Sequence, residues 1–264
     1  MNYISSVSNE QVKHVVSLQD KWYRHEHGQF VVEGTRACSQ LLEKYEPVVI
    51  YMTESYYADF SKVCLDATTG AAANKCIIQQ YDHLITGVSQ HVMDKMCTTK
   101  NPSGICAIFK IPTPLPLPQQ GPGIVLIDVN DPGNLGTLIR TAAAMNIKEI
   151  ILVGGVDPYN SKVIQSTAGC MTCVNIYQTT FEKLMEQTQL QLCALVVKHG
   201  TTPDKISLKN KFLVVGNEAH GLSPQHIQAC QDKMTIPMPG HAESLNAAIA
   251  GAIGLYLMSL SNQR

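Results

Sequence analysis

The chain has 264 residues, of which 45% are hydrophobic and 16% are charged, a balance typical of a globular protein long enough for two domains. Its net charge is −1, with 10 Lys and Arg against 11 Asp and Glu in residues 1–110 and 10 against 10 in residues 111–264, so bulk charge does not indicate a nucleic-acid partner. The sequence has no secretory signal pattern and no run of the roughly 18 apolar residues that a membrane span needs, so we expect a cytoplasmic protein.

The first 110 residues alternate between helical and strand-like patterns. Helix-like segments are predicted around 8–28, 34–45, 55–65 and 82–97. Apolar, β-rich runs are predicted as the strands: FVVEG (30–34), PVVIYM (47–52), KCIIQQY (75–81) and GICAIFKI (104–111). This alternation predicts an α/β domain over residues 1–110.

A proline-rich segment follows, IPTPLPLPQQGPG at residues 111–123. Its five prolines at near-alternate positions favour an extended, semi-rigid spacer. We place a domain boundary there, which leaves residues 124–264 as the second domain.

The second domain continues the alternation of strands and helices. The predicted strands are GIVLIDV, EIILVG, VNIYQ, LCALVV, KFLVVG and MTIPM, with helices at 134–146, 161–171, 181–189, after Ser223, and at 244–260. Near-continuous Val, Ile and Leu runs are typical of a parallel sheet covered on both faces. Ligands bind such sheets beyond the carboxyl ends of the strands, which makes the following loops the candidate sites.

Loop one, DVNDPGNLGTLIR at 128–140, leads from a strand into a helix. Asn134 is predicted either to cap that helix or to orient a ligand in front of it. The unpaired N–H groups of a helix start, together with Arg140, would form a seat for a phosphate. A plain capped helix with a solvated arginine explains the same residues, so loop one by itself leaves both interpretations open.

Loop two, FLVVGNEAHGLSP at 212–224, ends an apolar strand in Gly216 and Glu218. Glycine at a strand end lets the backbone approach a ligand closely. A new helix with Ser223 as its cap and Pro224 at its first position explains the end of this loop, but it explains neither Gly216 nor Glu218.

Loop three, MTIPMPGHAESLNAAIAGAIGLYL at 234–257, has two prolines and a glycine between a strand and an apolar helix. Ser244 and Asn246 open that helix. Ligand binding and ordinary helix capping explain these two residues equally well.

Together, the three loops resemble the three signature motifs of the SpoU/TrmH branch of the SPOUT superfamily, whose members are RNA ribose 2′-O-methyltransferases. The motifs stand in the family's order: Asn134 with Arg140, Gly216 with Glu218, and the stretch from Ile236 to Asn246. This resemblance covers residues 124–260. The stretch from Tyr23 to Gly34 also resembles part of the family's N-terminal substrate-binding extension.

The resemblance implies a ribosomal-protein-like α/β domain followed by a SPOUT α/β domain with a parallel sheet and a deep trefoil knot. Chains almost never knot, so no periodicity could have predicted that feature. The resemblance further implies S-adenosylmethionine as the cofactor, bound in a bent shape inside the knot. The absence of G-x-G-x-x-G after any predicted strand argues against a dinucleotide-binding Rossmann domain.

Site residues follow from the resemblance position by position. The implied cofactor contacts are Gly216, Glu218, Ile236, Met238 and Leu245. The implied catalytic positions, facing the ribose and its phosphate, are Asn134, Arg140, Ser244 and Asn246, with Glu218 beside them. The family often has an Arg in the helix after the DPYN stretch, whereas this chain has Gln165, so no phosphate contact is carried over there.

The difficult part of the implied methyl transfer is activation of the nucleophile. A sulfonium leaving group departs neutral, whereas a ribose hydroxyl reacts poorly until it is deprotonated or oriented. The resemblance implies that Arg140 removes the proton with help from the substrate's phosphate. A guanidinium keeps its proton at any pH at which the enzyme would work, which favours a phosphate clamp as the role of Arg140, with Glu218 as the alternative base.

Candidate RNA-binding residues lie in KWYRHEHGQF at 21–30, where Lys21, Trp22, Tyr23 and Arg24 would stack on unpaired bases and meet phosphates. A surface helix with Trp22 in the core is the alternative. Family members with such an N-terminal module act mostly on large-subunit ribosomal RNA, so the resemblance favours a 23S-type rRNA over transfer RNA. A non-catalytic RNA-binding assembly factor and a generic nucleotide-binding protein stay open as other functions.

The apolar helix 244–260 has too few polar positions for a solvated face and predicts a homodimer, with a buried helix in a monomer as the alternative. The family also builds its site across two subunits. The nine cysteines are scattered, and CMTC at 170–173 has no second pair at zinc spacing, so we expect no metal.

Overall fold

A computed structural model describes residues 2–63, 78 and 80–263, and the chain divides into two compact units. The first unit comprises Met1–Pro112 and Asp157–Thr172, and the second comprises Thr113–Val156 and Cys173–Arg264. The chain therefore passes from one unit to the other inside the proline-rich segment, and it returns once to the first unit. The division into domains at 1–110 and 124–264 stays a prediction.

The first unit is built on a mixed sheet. Its described strands are β1 (Tyr3–Ile4), β2 (Gln29–Glu33), β3 (Pro47–Thr53), β4 (Ile85–Val88) and β5 (Ile105–Lys110), in the order β1-β4-β3-β5-β2. Strand β4 pairs parallel to β1 and β3, whereas β5 pairs antiparallel to β2 and β3. The α-helices described in this unit are α1 (Glu10–Ser17), α2 (Lys21–His27), α3 (Thr35–Leu41), α4 (Glu54–Val63), α5 (Gln90–Met96) and α7 (Ser161–Thr167).

Two predicted helices of the first unit are wrong in extent. The segment 8–28 forms two helices, because α1 ends at Ser17 and the Asp20 side chain caps α2 by accepting from Trp22 N. The segment 82–97 is not one helix: a short 3-10 helix at Asp82–Leu84 is followed by ITGV, which pairs as β4 with two parallel neighbours, and the α-helix begins at Gln90. Most of the predicted strand at 75–81 lies outside the described residues.

The second unit is built on a parallel sheet, as predicted. Its described strands are β6 (Gly123–Ile127), β7 (Glu149–Val153), β8 (Asn175–Thr179), β9 (Leu192–Leu195), β10 (Phe212–Val215) and β11 (Asp232–Met234), in the order β11-β9-β10-β6-β7-β8. All five strand pairs are parallel. The α-helices are α6 (Pro132–Ala144), α8 (Phe181–Gln187), α9 (Pro224–Gln228) and α10 (Ala247–Gln263).

Glycines let α10 pack closely in this unit. A Cβ added to Gly251 would lie 2.5 Å from Leu138 of α6, and one added to Gly254 would lie 2.4 Å from Leu213 of β10. Helix α10 therefore lies directly on α6 and the centre of the sheet. In the described part of the chain, no helix is both long and apolar enough to cross a membrane. The trefoil knot stays a prediction.

Candidate active site

The loops that follow β6 and β10 lie side by side, because these two strands are neighbours in the sheet with Val215 opposite Leu126. The carboxyl ends of parallel strands share one edge of the sheet. The sequence motifs of loops one and two are thereby brought together, although 75 or more residues separate them in the chain.

Glu218 fastens the loop after β10 to the loop after β6. Its Oε1 accepts hydrogen bonds from the backbone N of Asp131 and from Asn134 Nδ2, both at 3.0 Å, and its Oε2 accepts from Asn130 N at 3.2 Å. One carboxylate thus satisfies two backbone donors and one side-chain donor. We refer to this arrangement as the Glu218 clasp.

The clasp also sets the protonation state of Glu218. Partial burial raises the pKa of the carboxyl group, but hydrogen bonds from Asn134 Nδ2 and the amides of Asp131 and Asn130 outweigh it, and the pKa lies below its ordinary value. The carboxylate is therefore ionised at neutral pH and already holds three donors. This geometry favours a loop-holding role for Glu218 over that of a general base, which must reach the substrate's proton.

Carboxylates of the chain itself hold the start of α6. Asp131, not Asn134, is the N-cap, because its Oδ1 accepts from Asn134 N at 2.8 Å. The amides of Asn130 and Asp131 are taken by Glu218. Carboxylates of the chain itself therefore accept from these three amides, and a phosphate seat at this helix start stays a prediction.

Asn134 and Asn246 connect α6 to α10. The Nδ2 of Asn246 donates to Asn134 Oδ1 at 3.2 Å. The Oδ1 of Asn246 accepts from the backbone amides of Ala248 and Ile249, at 2.8 and 3.2 Å, so Asn246 caps α10. The helix begins at Ala247, not at 244 as predicted, and Ser244 is exposed in the loop before it. The predicted catalytic residues Asn134, Glu218 and Asn246 thus form one hydrogen-bonded chain.

A cavity of about 240 Å³ opens beside this chain of hydrogen bonds. It lies beyond the carboxyl ends of β9 and β10 and is bounded by the loop that precedes α10. All the residues that the sequence assigned to the cofactor line it, together with Ser244: Gly216, Glu218, Ile236, Met238 and Leu245. Apolar side chains in its wall can pack against a planar ring. The exposed Ser244 hydroxyl and the Glu218 carboxylate are polar groups at the same cavity.

Gly216 is needed for a reason other than ligand approach. A Cβ at this position would lie 2.4 Å from the carbonyl carbon of Gly221 and 2.6 Å from Leu222 N. The loop folds back on itself there, closed by the backbone pair of Asn217 and Gly221, with N–O distances of 3.2 and 2.9 Å. The close neighbour of Gly216 is thus the chain's own backbone, and the loop that lines the cavity depends on it.

Arg140 lies apart from the cavity within one chain. It is on the exposed face of α6, one turn after Thr137, and it is not among the residues that line the cavity. In the part of the chain that is described, its guanidinium has neither a hydrogen bond nor an ion pair. The structure therefore brings together every predicted catalytic or cofactor residue of the second unit except Arg140.

Comparison with known proteins identifies this arrangement. Residues 122–256 match the family model described as the SpoU rRNA Methylase family, which is just over half of the chain. The chain belongs to the SpoU rRNA methylase family. Residues 9–107 match a second model, described as an MRM3-like substrate binding domain.

Full-length relatives of this SpoU family member include RNA methyltransferases. An uncharacterized tRNA/rRNA methyltransferase of Synechocystis is 32% identical over 262 residues, 96% of this chain and 92% of its own length. The 23S rRNA (guanosine(2553)-2′-O)-methyltransferase RlmP of Bacillus subtilis is 28% identical over 262 residues, 97% of this chain and 98% of its own. A crystal structure of an AdoMet-bound rRNA methyltransferase from Sinorhizobium meliloti aligns with a TM-score of 0.82 and 27% identity over 97% of each chain.

These findings confirm the predicted family, the α/β fold class with its parallel sheet, and RNA methyltransferase as the class of enzyme. They also confirm S-adenosylmethionine as a cofactor of the group to which the chain belongs. Among the described residues, no cluster of three or more His, Cys, Asp or Glu side chains is arranged to hold a metal ion.

Sequence reasoning missed Asn217 and the strand end from Leu195 to Val197. The Asn217 amide donates to Asp128 O at 2.9 Å and its Oδ1 accepts from Ala219 N and His220 N, so it shapes the loop that carries Glu218. The position of Asn217 between Gly216 and Glu218 in the sequence could have indicated this role. Leu195–Val197 line the cavity only because β9 is the neighbour of β10, which the sequence does not reveal.

In the first unit of this SpoU family member, the predicted RNA contacts separate into two groups. Trp22 is 62% exposed and Tyr23 is 41% exposed, and Lys21 is exposed beside them, so the alternative of a buried Trp22 is wrong. Arg24, by contrast, is 2% exposed. Its guanidinium pairs with Asp157 at 2.7 Å and donates to the carbonyl oxygens of Leu18 and Gln19. The assignment of Arg24 to RNA phosphates is therefore corrected, since its donors are used inside the fold.

Gln165, which replaces the family's Arg, also points into the first unit. Its Nε2 lies 3.4 Å from Glu33 Oε2 and 3.3 Å from Thr98 Oγ1. Glu33 in turn accepts from the backbone N and the hydroxyl of Thr98 and of Thr99, at 2.7 to 3.2 Å. Gln165 thus joins a hydrogen-bonded network around a buried carboxylate.

Proposed function

We propose that this chain transfers a methyl group from S-adenosylmethionine to a ribose 2′-hydroxyl of ribosomal RNA. The observation that carries the proposal is the cavity beyond β9 and β10, whose walls contain all five residues implied for the cofactor. Gly216, Ile236, Met238 and Leu245 would hold the cofactor through backbone and apolar contacts, with Glu218 in the loop above it. Bound there, S-adenosylmethionine supplies an electrophilic methyl group on a positively charged sulfur.

The chain's own contribution is to orient the acceptor ribose. Ser244 is exposed at the cavity rim, and Asn134 and Asn246 are fixed to each other and to the Glu218 clasp, so their remaining polar atoms have defined directions. Preorganised groups of this kind lower the barrier by positioning the reacting atoms. We assign Ser244, Asn134 and Asn246 to the ribose and its phosphate.

Arg140 would complete the site from a second copy of the chain. We propose a homodimer in which the exposed apolar stripe of α10, formed by Ile249, Ile253, Tyr256 and Leu260, is the contact surface. Ile249 is 51% and Tyr256 is 52% exposed, and the four residues share one face of the helix. Arg140 lies on the exposed face of the adjacent α6, where such a contact would bring it to the partner's cavity.

We prefer a phosphate clamp over a base as the role of Arg140, because a guanidinium holds its proton and binds phosphate through two donors at once. The Glu218 alternative is weaker, since its carboxylate is already engaged by three donors. The 2′-hydroxyl proton would pass to the substrate's own phosphate, held by Arg140, and on to water, while S-adenosylhomocysteine would leave as a neutral thioether. Transfer RNA as the substrate and a non-catalytic assembly factor stay as alternatives. A cytoplasmic location stays a prediction.

Mixing two inactive variants tests the shared site directly. Gly216→Val disrupts the cavity and Arg140→Ala removes the clamp, so each homodimer should lack activity. In a mixed dimer, one of the two sites would receive an intact cavity from one chain and an intact Arg140 from the other. We expect unfolding and refolding of the mixture to restore roughly a quarter of the parent's activity, and no recovery would exclude a site shared in this way.

Substrate assignment requires the RNA itself. Calorimetry measures S-adenosylmethionine binding to the purified chain, and ribose-methylation mapping compares RNA from cells with and without the gene. We expect one 2′-O-methyl mark in large-subunit rRNA to disappear. Loss of a mark in transfer RNA only would move the substrate to that class, and loss of none would favour the assembly factor.

A further inference from the structure

Four aromatic rings form a continuous ladder on the surface of the first unit. The rings of Trp22 and Tyr23 meet edge to face with centroids 4.9 Å apart, and Tyr23 and His27 are parallel at 6.3 Å. His27 then meets His14 edge to face at 4.9 Å. Trp22, Tyr23 and His27 are exposed and His14 is half-buried, so the ladder runs from solvent toward the body of the unit.

The fold holds this ladder in place. Tyr23 and His27 stand one turn apart on α2, which the Asp20 side chain caps at its start and Gly28, at φ 60°, ends. Arg24, which lies between them in the sequence and is buried, anchors α2 through its pair with Asp157. The rings are therefore presented on a fixed helix.

The ladder ends at a second cavity, which lies wholly within the first unit and has a volume of about 940 Å³. His14 lines it and its Nε2 lies 2.7 Å from Gln29 Oε1. The other polar lining groups include Gln11, Asp82 and Thr86, set against apolar side chains such as Val49 and Ile108. The apolar side chains can pack against the face of a nucleobase, and the amide and carboxylate groups can hydrogen-bond to its edges.

We propose that the ladder and this cavity together bind a single-stranded segment of the RNA substrate. Bases stack on Trp22, Tyr23 and His27, and the base beyond His14 enters the cavity, where Gln11 and Asp82 contact its hydrogen-bonding edge. The inference rests on the proposed function in taking RNA as the ligand, and it adds an unpaired stretch with its bases turned toward the protein.

The charges on and beside α2 indicate which interaction supplies most of the affinity for this RNA segment. Lys21 and His25 are exposed on α2, but so is Glu26, and Asp20 caps the same helix. A surface of such mixed charge attracts a phosphate backbone weakly, so stacking must supply most of the affinity. We therefore expect binding of short unpaired RNA to depend only slightly on salt, unlike binding through a cluster of cations.

Trp22 reports on this site directly, because it is the only tryptophan of the chain. We expect a short oligoadenylate to quench its fluorescence. An RNA duplex of the same length and an abasic oligomer of the same charge should not do so, since neither offers unstacked bases. Quenching by either control at similar concentration, no quenching by the oligoadenylate, or quenching by a proline-rich peptide in its place would overturn the proposal.

Variants test the rest of the ladder. Trp22→Ala and His27→Ala should each weaken binding of a labelled oligoadenylate by roughly fivefold or more in fluorescence anisotropy, the effect of losing one stacked base. Tyr3→Ala is the matched control, since Tyr3 is 50% exposed on β1 and belongs to neither ladder nor cavity. Equal loss in the control, or unchanged binding in both ladder variants, would contradict the ladder.

The same proteins separate this inference from the proposed function. S-adenosylmethionine binding, measured by calorimetry, should be the same in Trp22→Ala as in the parent. Normal quenching without any methylation of ribosomal or transfer RNA would refute the proposed activity and leave the ladder standing. Full methylation by a chain whose Trp22 is never quenched would refute the ladder and leave the activity standing.

Discussion

The first unit buries a pair of opposite charges, whereas the second unit presents the charges of its candidate site at the surface. In the first unit Arg24 and Asp157 are each about 2% exposed at the side chain and paired with each other, and Glu33 is buried among five donors. In the second unit Glu218 fastens two loops at the surface and Arg140 is exposed without an ion pair in the described part of the chain. Charges whose hydrogen bonds are filled inside the fold hold it together, whereas an unfilled charge at the surface is available to a ligand.

Breaking the buried pair should give the largest effect on stability. Arg24→Met leaves Asp157 buried and unpaired, which costs on the order of 3–5 kcal/mol. We expect the urea midpoint to fall accordingly. Lys13→Ala, which removes the exposed pair of Lys13 with Glu10, is the control and should cost less than about 1 kcal/mol.

A double variant sharpens this result. Asp157→Leu in the Arg24→Met background removes the second charge as well, so part of the lost stability should return. If Arg24→Met were no more destabilising than Lys13→Ala, the buried pair would not hold the first unit together.

Arg140 should give the largest effect on activity with the smallest effect on stability. We expect Arg140→Ala to lower the methylation rate by about 10² or more while the affinity for S-adenosylmethionine stays within twofold, because Arg140 lies outside the cavity of its own chain. Arg140→Lys keeps the charge but loses the two-donor contact, so an intermediate rate would support a phosphate clamp. Turnover of the alanine variant within about threefold of the parent would remove Arg140 from catalysis.

Gly216 tests the loop that lines the cavity. Gly216→Val should abolish S-adenosylmethionine binding in calorimetry, because its side chain would overlap the backbone of Gly221 and Leu222. Ala144→Val is the control, since Ala144 is exposed on α6 and does not line the cavity. Circular dichroism should show that the sheet of the variant is intact, and cofactor binding equal to that of the parent would place the cofactor elsewhere.

Substitution of Glu218 should give the smallest effect of the set, a change in thermal stability that depends on pH. Its pKa is lowered in the folded state by the clasp, so the stabilisation is present above the unfolded-state pKa and is lost as pH falls through the folded-state value. Glu218→Gln should therefore reduce the thermal midpoint at neutral pH and bring it closer to the parent in acid. A difference between the two proteins that does not shrink toward low pH would contradict the ionised clasp.

The sequence by itself determined what is local or ordered along the chain. Runs of Val, Ile and Leu predict the strands of the parallel sheet, since a strand covered on both faces must be apolar throughout. The spacing and order of Asn134, Gly216 and Ser244 within their motifs are enough to identify the family. Each motif is a contiguous stretch of sequence, so it can be recognised without knowledge of the fold.

The tertiary structure decided which of these residues lie in contact and which keep unpaired hydrogen-bond donors. The order β9-β10-β6 makes Leu195–Val197 a wall of the cavity, and strand order is set by pairing between distant segments. Asp131 rather than Asn134 caps α6, and the amides beside it are filled by Glu218 from far along the chain. Arg24 and Trp22 are two positions apart on one helix, yet one is buried and the other exposed, because the face that a helix buries depends on what packs against it.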